Sequence, residues 1–334
     1  MWNCGIDVAL KSSSVCVLDG RGRIVLEKVV STDEVGFGSV LGARRRMRCV
    51  LEAGPLAEWI SQLIEQMGHE AVVIDPRKAT GVIRTKKKTD RLDARNLARM
   101  GRTGWYTKVH RKSAEARATR TFLQARQGLV ETALAQGSRI RGLLRAHGVK
   151  LGEVKESEFA SRVKQLACEK GEWLWDMLEP LVEVRRLALG ASEQMRRQLV
   201  RQSSADGVLR RLMSVPGVGA LTAAAFRSTI DDPYRFRSSK QVSAYVGLVP
   251  SVAQSGQMEV HGHITREGDG LLRSYLVEAA HILLTRTRRS YRLKLWGLKL
   301  AKKKGHGKAR VAVARKLAAL LHRLWITEES YQAA

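Results

Sequence analysis

The run Cys4-Gly5-Ile6-Asp7-Val8 is short, β-prone and carries a carboxylate, Asp7, near its end. Two similar runs follow, Ser13–Leu18 and Ile24–Val29, parted by the turn signal Gly20-Arg21-Gly22. Arg48–Leu51 and Ala71–Ile74 are two more. Between them Leu56, Ile60, Leu63, Ile64 and Met67 recur at helical spacing. Three strands joined by tight turns, then strand–helix–strand, predict a mixed sheet with flanking helices. From Asp90 onward the pattern turns helical.

Ser113 to about Leu144 holds no proline and few strand formers. Glu156–Val200 is similar, with a break expected at Pro180. The two read as long helices forming a hairpin linked near Gly148–Gly152. A third region starts near Val208, where Ser214-Val215-Pro216-Gly217-Val218-Gly219 separates Leu209–Met213 from Leu221–Phe226. It has the form of a helix-hairpin-helix turn, in which the backbone of Gly217 and Gly219 approaches a phosphate at a helix N-terminus. A plain connection between two helices fits the same residues.

Charge narrows the function. Of 334 residues, 59 are Lys or Arg and 32 Asp or Glu, a net +27, yet 44% are hydrophobic. That composition excludes a disordered basic tail, and the charge calls for a polyanionic partner. From Ala279 to Thr327 there is no Asp or Glu against fourteen Lys or Arg. Arg286, Arg288, Arg289, Lys302, Lys303, Lys304, Lys308 and Arg310 in that stretch are candidate phosphate contacts. No apolar run reaches the ~20 residues of a membrane span, and the N-terminus carries no secretory pattern. The cysteines Cys4, Cys16, Cys49 and Cys168 are scattered, as suits free thiols in a reducing cytoplasm rather than zinc ligands.

Four acids stand out against this background. Asp7 and Glu52 each close a β-prone run. Asp90 and Asp93 lie at i and i+3 in Thr89-Asp90-Arg91-Leu92-Asp93-Ala94-Arg95, on one face at the start of a helix. Carboxylates at neighbouring strand ends and on a helix can converge, and four together call for hard cations, magnesium or manganese (Mg2+ or Mn2+). A pair of such ions suits phosphodiester chemistry. Lys86, Lys87, Lys88, Arg91 and Arg95 would hold a nucleic-acid strand over them. Taken singly, Asp7 also reads as the start of a turn, Asp90 as a helix-start charge favoured by the dipole, and Asp93 as a partner of nearby arginines.

The order of these acids, with Gly-Ile-Asp near the N-terminus and Lys88-Thr89-Asp90-Arg91-Leu92-Asp93-Ala94 in the middle, resembles the DEDD transposases of the insertion sequence 110 family and the related pilin-gene invertases. A second motif set agrees: Val215-Pro216-Gly217-Val218-Gly219, Phe236, Ala244-Tyr245-Val246-Gly247-Leu248-Val249-Pro250, then Gln254-Ser255-Gly256. The resemblance implies an α/β RuvC-like domain of ribonuclease H fold over residues 1–110, with magnesium on Asp7, Glu52, Asp90 and Asp93. It implies a long helical hairpin or coiled-coil middle over 111–205 for oligomerisation into a homodimer or homotetramer. It also implies a mainly α-helical C-terminal domain over 206–334 with a serine nucleophile at Ser255. Donor and target DNA, and a structured guide (bridge) RNA, would be the partners, in a bacterial cytoplasm with nucleoid association during action.

Ser243 and Ser251 lie close to Ser255, and Ser255 is also a natural turn residue before Gly256. His261 and His263 lack a third metal ligand at useful spacing and read as phosphate-facing or structural. The expected activity is RNA-guided recombination through a covalent phosphoserine. A metal-dependent endonuclease or junction resolvase, using water in place of Ser255, is the alternative. An architectural binder without catalysis is a third class, and one in which Asp7→Asn would change nothing.

Overall fold

The computed structural model describes residues 1–75, 89–255 and 258–332, with 253–255 and 258–261 described by backbone alone. The chain gathers into two units, Met1–Arg111 and Lys112–Ala334.

In the first unit β1 (Trp2–Val8), β2 (Ser12–Leu18) and β3 (Ile24–Ser31) form an antiparallel meander. The turn into β3 is fixed by the Asp19 carboxylate, which accepts from the Arg21 and Arg23 amides at 2.9 Å. β4 (Met47–Glu52) and β5 (Glu70–Ile74) are parallel to β1, giving the order β3-β2-β1-β4-β5. Parallel strands need crossovers. Helix α2 (Ala57–Gln66) makes the one from β4 to β5, and α1 (Glu34–Leu41), which the sequence pattern did not reveal, precedes β4. Strand alternation splits the core into two layers. Cys4, Ile6, Cys49 and Leu51 pack with residues of α1 and α2, whereas Val50, Val72 and Ile74 pack with Leu97 and Met100 of α3 (Asp90–Thr103). The expected mixed sheet flanked by helices is present.

The second unit opens with α4 (Ala114–Ala146), 33 residues long, whose Ser113 cap accepts from the Ala116 amide at 3.1 Å. After α5 (Phe159–Cys168) comes α6 (Glu172–Ala205), which packs along α4. The break expected at Pro180 is absent. Pro180 lies inside continuous α6, and the interruption falls at Gly171, with φ 136°. Proline removes one amide, here the one directed at the Asp176 carbonyl, and Pro180 is exposed, so water can serve that carbonyl.

The remaining elements are α7 (Gly207–Met213), α8 (Ala220–Ile230), α9 (Ser239–Tyr245), the hairpin β6 (Pro250–Ser255) and β7 (Met258–Ile264), then α10 (Gly270–Thr285), α11 (Arg292–Lys304) and α12 (His306–Thr327). Leu212, Phe226, Leu276, Leu283, Leu317 and Leu321 centre their core, which Leu123 of α4 and Leu199 of α6 join. The region is mostly helical, as expected. The β6–β7 hairpin is an addition that the motif reading did not foresee. No helix among the described residues is long and apolar enough to cross a membrane.

Candidate functional site

The strand register places the first two acids. Ile6 is paired with Leu51 in the parallel β1–β4 ladder, so Asp7 and Glu52 follow side by side at adjacent C-terminal strand ends. By alternation Asp7 shares the face of Gly5, and Glu52 that of Val50. Both belong to the face covered by α3. Gly5 is where the helix comes closest: a Cβ there would stand 2.0 Å from the Ala94 carbonyl oxygen. Further along, Gly101 lies against Val50 and Asn3. Helix α3 therefore runs against the direction of β1, and its first turn lies beyond Gly5, on the side of Asp7.

That first turn carries Asp90 and Asp93. Thr89 caps it, its hydroxyl accepting from the Leu92 amide at 3.4 Å. Asp93 precedes Leu97 and Gly101 at steps of four, on the stripe that meets the sheet, and the helix N-terminus favours negative charge there. The structure thus brings Asp7, Glu52, Asp90 and Asp93 to one rim. Their oxygen donors suit a hard divalent cation in kind. They are not drawn into coordination: among the described residues no three His, Cys, Asp or Glu gather as a metal-holding group. A further strand-end acid, Asp75, follows Ile74, which pairs with Glu52. The strand-end pattern that singled out Asp7 and Glu52 applies equally to Asp75, which the sequence reading passed over.

The basic residues expected around this rim divide. Arg91 is exposed. Arg95 is committed to Glu27 of β3 through two bonds, the second 2.7 Å long, and holds the Glu27 carboxyl below its ordinary range chiefly by that side-chain hydrogen bond. Lys86, Lys87 and Lys88 lie outside the described residues.

In the second unit Ser255 is the last residue of β6, its backbone paired with Met258. Its side chain and that of His261, like Gly256, lie outside what is described. The neighbouring serines are occupied. Ser243 is buried and its hydroxyl donates to the Arg315 carbonyl at 2.8 Å, while Ser251 donates to the His263 carbonyl at 3.1 Å. His263 is exposed.

The turn 214–219 separates α7 from α8, as expected, but its two glycines differ. Gly217, at φ 89°, is pressed against α10, where a Cβ would stand 2.4 Å from the Ala279 oxygen. This close approach explains the glycine without a ligand. Gly219 faces open space at the start of α8. Of the second motif set, Phe236 is half-buried against the core and Tyr245 is exposed. Phe236 stacks edge-on against Tyr245 and against buried His322, whose ring nitrogens meet the Ser239 hydroxyl at 2.9 Å and the Pro233 carbonyl at 2.8 Å.

The C-terminal basic run is amphipathic. Arg286, Arg288, Arg289, Lys302, Lys303, Lys304 and Lys308 are exposed and Arg310 is half-buried, while Val313, Leu317 and Leu321 enter the core.

Two family models match. The DEDD transposase model of IS110 elements covers residues 4–148, which include the four rim acids. The model described as "Transposase IS116/IS110/IS902 family" covers 209–295, which include Gly217, Gly219 and Ser255. The transposase for insertion sequence element IS1111A of Coxiella burnetii is 27% identical over 98% of this chain and 90% of its own. A probable family 20 transposase of Pseudomonas aeruginosa is 26% identical over 70% of each chain. The transposase for insertion sequence element IS1328 of Yersinia enterocolitica is 23% identical over 87% of each.

Proposed function

Since this chain belongs to the IS110 family of insertion-sequence transposases, enzymes that cut and rejoin DNA, we propose that it does so through a phosphoserine on Ser255 aided by the acidic rim. The observation that carries the reading is the register that sets Asp7 beside Glu52, with the first turn of α3 on the same side. The strand order β3-β2-β1-β4-β5, a meander followed by two parallel strands, supports a RuvC-like, ribonuclease H architecture for this unit.

Asp7, Glu52, Asp90 and Asp93 would hold magnesium or manganese, which when bound polarises a phosphodiester and stabilises charge on its oxygens. The Ser255 hydroxyl loses its proton to a carboxylate or to solvent, and its Oγ forms a bond to phosphorus. The bond from phosphorus to the 3′ oxygen breaks, and that oxygen leaves as a hydroxyl after taking up a proton. The ester keeps the phosphodiester energy, so attack by a new 3′ hydroxyl rejoins DNA without a nucleotide cofactor. The occupied hydroxyls of Ser243 and Ser251 support Ser255 as the nucleophile. Guidance by a structured RNA and recognition of donor and target DNA by pairing belong to the same proposal.

Self-association is proposed through α6. Its Trp173, Met177, Val184 and Leu187 are 47%, 67%, 44% and 56% exposed at steps of four, seven and three, the spacing of an unfilled coiled-coil seam.

The test is covalent trapping with protein, element-flanking RNA, magnesium and labelled donor and target DNA. A denaturation-resistant protein–DNA band, absent with Ser255→Ala and with Asp7→Asn, is the expected result. Metal-dependent cleavage without an adduct, unchanged by Ser255→Ala, would establish the hydrolytic nuclease instead. Mixing the two variants reads whether the serine and the rim act across protomers, since activity returns only in that case.

A further inference from the structure

The first unit has an end that the acidic rim does not use. Trp2 pairs with Met47 where β1 and β4 begin, and Asn3 pairs with Leu18 where β2 finishes. The β2–β3 turn, the loop before β4 and the last turn of α3 therefore share the end of the sheet opposite Asp7 and Glu52. Arginines crowd there: Arg21 in the turn, Arg44, Arg45 and Arg46 in the loop, and Arg102 on α3.

What holds these arginines is unlike what holds the rest of the unit. Arg23 is paired with Asp19 at 2.9 Å, Arg48 with Glu70 at 3.0 Å, Arg111 with Glu58 at 3.0 Å, and Arg95 with Glu27. Among the described residues no ion pair engages Arg21, Arg44, Arg45, Arg46 or Arg102. Three of them are instead placed by neutral groups. Arg44 donates through Nε to the Val40 carbonyl at 2.8 Å. The Arg45 guanidinium lies 4.8 Å from the centre of the Trp2 ring. That of Arg102 occupies the space over Gly22, where a Cβ would stand 2.9 Å from its Cζ. Arg21 and Arg46 are exposed. Five like charges at one end of a small sheet repel one another, and positioning them by a carbonyl, an indole and a glycine leaves that charge unspent.

We propose that this arginine end is a second nucleic-acid-binding surface, which takes a phosphodiester backbone at the opposite end of the sheet from the acidic rim. Planar guanidinium groups match phosphate oxygens through paired hydrogen bonds, and fixing their geometry beforehand lowers the entropy lost on binding. The surface reads backbone and carries no sequence preference of its own. It stands whether or not Ser255 forms an ester, because binding here needs neither the serine nor the rim.

The experiment is fluorescence anisotropy on the full chain with a labelled duplex DNA and a labelled RNA hairpin of arbitrary sequence, over a series of salt concentrations. The variant Arg45→Gln/Arg46→Gln/Arg102→Gln is compared with the parent. The triple variant is expected to bind at least one probe about tenfold or more weakly near physiological salt, with the logarithmic salt slope shallower by about two to three. Loss with RNA alone assigns the surface to RNA, and loss with duplex alone assigns it to DNA. Neither Ser255 nor the rim is altered in the triple variant, so a failed cleavage mechanism leaves this result readable. Arg46 is exposed, so Arg46→Gln alone guards against misfolding of the triple variant and should weaken binding by a few-fold. Unchanged affinity and slope for both probes, in the triple variant and in Arg46→Gln alike, would overturn the proposal.

Discussion

Gly5 and Asp7 stand two residues apart on one face of β1, and the first decides what the second can meet. With a hydrogen in place of a side chain, Gly5 lets α3 approach until its backbone fills the Cβ position. Gly5→Ala must push α3 outward. The expected cost is about 1–3 kcal/mol in thermal or denaturant unfolding, together with a loss of cleavage larger than the fraction unfolded explains, because Asp90 and Asp93 move with the helix. Unaltered stability and cleavage would show that the close packing does not position the acids. Lys112 offers a second test at this scale. It donates to the Thr229 carbonyl, and burial, reinforced by the charge of Arg120 and Arg235, pushes its pKa down to about 8. An unfolded lysine keeps its proton to about pH 10.4. Between these values the unfolded chain binds more protons than the folded one, so this residue's contribution to stability rises with pH across that window. Measured against Lys112→Met, the parent should gain about 2–3 kcal/mol from below pH 8 to above pH 10. A difference that stays flat with pH would place the ammonium in solvent.

At the scale of elements, what was legible in the sequence followed periodicity. The five strands of the first unit came from runs such as Cys4–Val8 and Ala71–Ile74, and α2 from Leu56, Ile60, Leu63 and Ile64, because a buried sheet and an amphipathic helix each impose a period. Helix α1 was missed because Gly36 and Gly38 weaken its pattern, although Gly36 is required where a Cβ would strike the Ser31 carbonyl at 2.1 Å. The β6–β7 hairpin was missed because its serines, glycines and histidines show no clean alternation. Among site residues, Asp7 and Glu52 were readable as strand ends, whereas the pairing of Arg95 with Glu27 joins positions far apart in sequence that no local pattern links. Pro180 does not break the chain because its position is exposed to solvent inside α6. Its solvent-facing position inside α6 makes a prediction of its own. Pro180→Ala restores an amide and removes a ring clash, and should stabilise the helical hairpin by about 1–3 kcal/mol without lowering the yield of the covalent adduct. A destabilised variant would mean that the proline shapes a bend the packing needs.

For the whole molecule, the excess of 27 positive charges is distributed by surface, with different consequences in each unit. The second unit carries an exposed run on α11 and α12 backed by a leucine-lined core, and the first carries the arginine end away from its acidic rim. Each phosphate neutralised releases counterions, so the slope of log affinity against log salt counts phosphate contacts, at roughly −0.9 per contact on duplex DNA and −0.7 on a single strand. Lys302→Gln/Lys303→Gln/Lys304→Gln should therefore make the slope for duplex DNA shallower by about two to three, while the midpoint of thermal unfolding stays within about a degree, since exposed lysines contribute little to packing. Combined with the arginine triple variant, the changes in slope should add if the two surfaces hold different phosphates, because distant, unshared contacts are additive. A combined variant no shallower than either parent variant would mean that both sets of side chains compete for one stretch of backbone. Additivity on a single long duplex, with only the lysine set mattering on a short one, would identify the lysine run as the primary duplex contact and the arginine end as one that engages only longer nucleic acid.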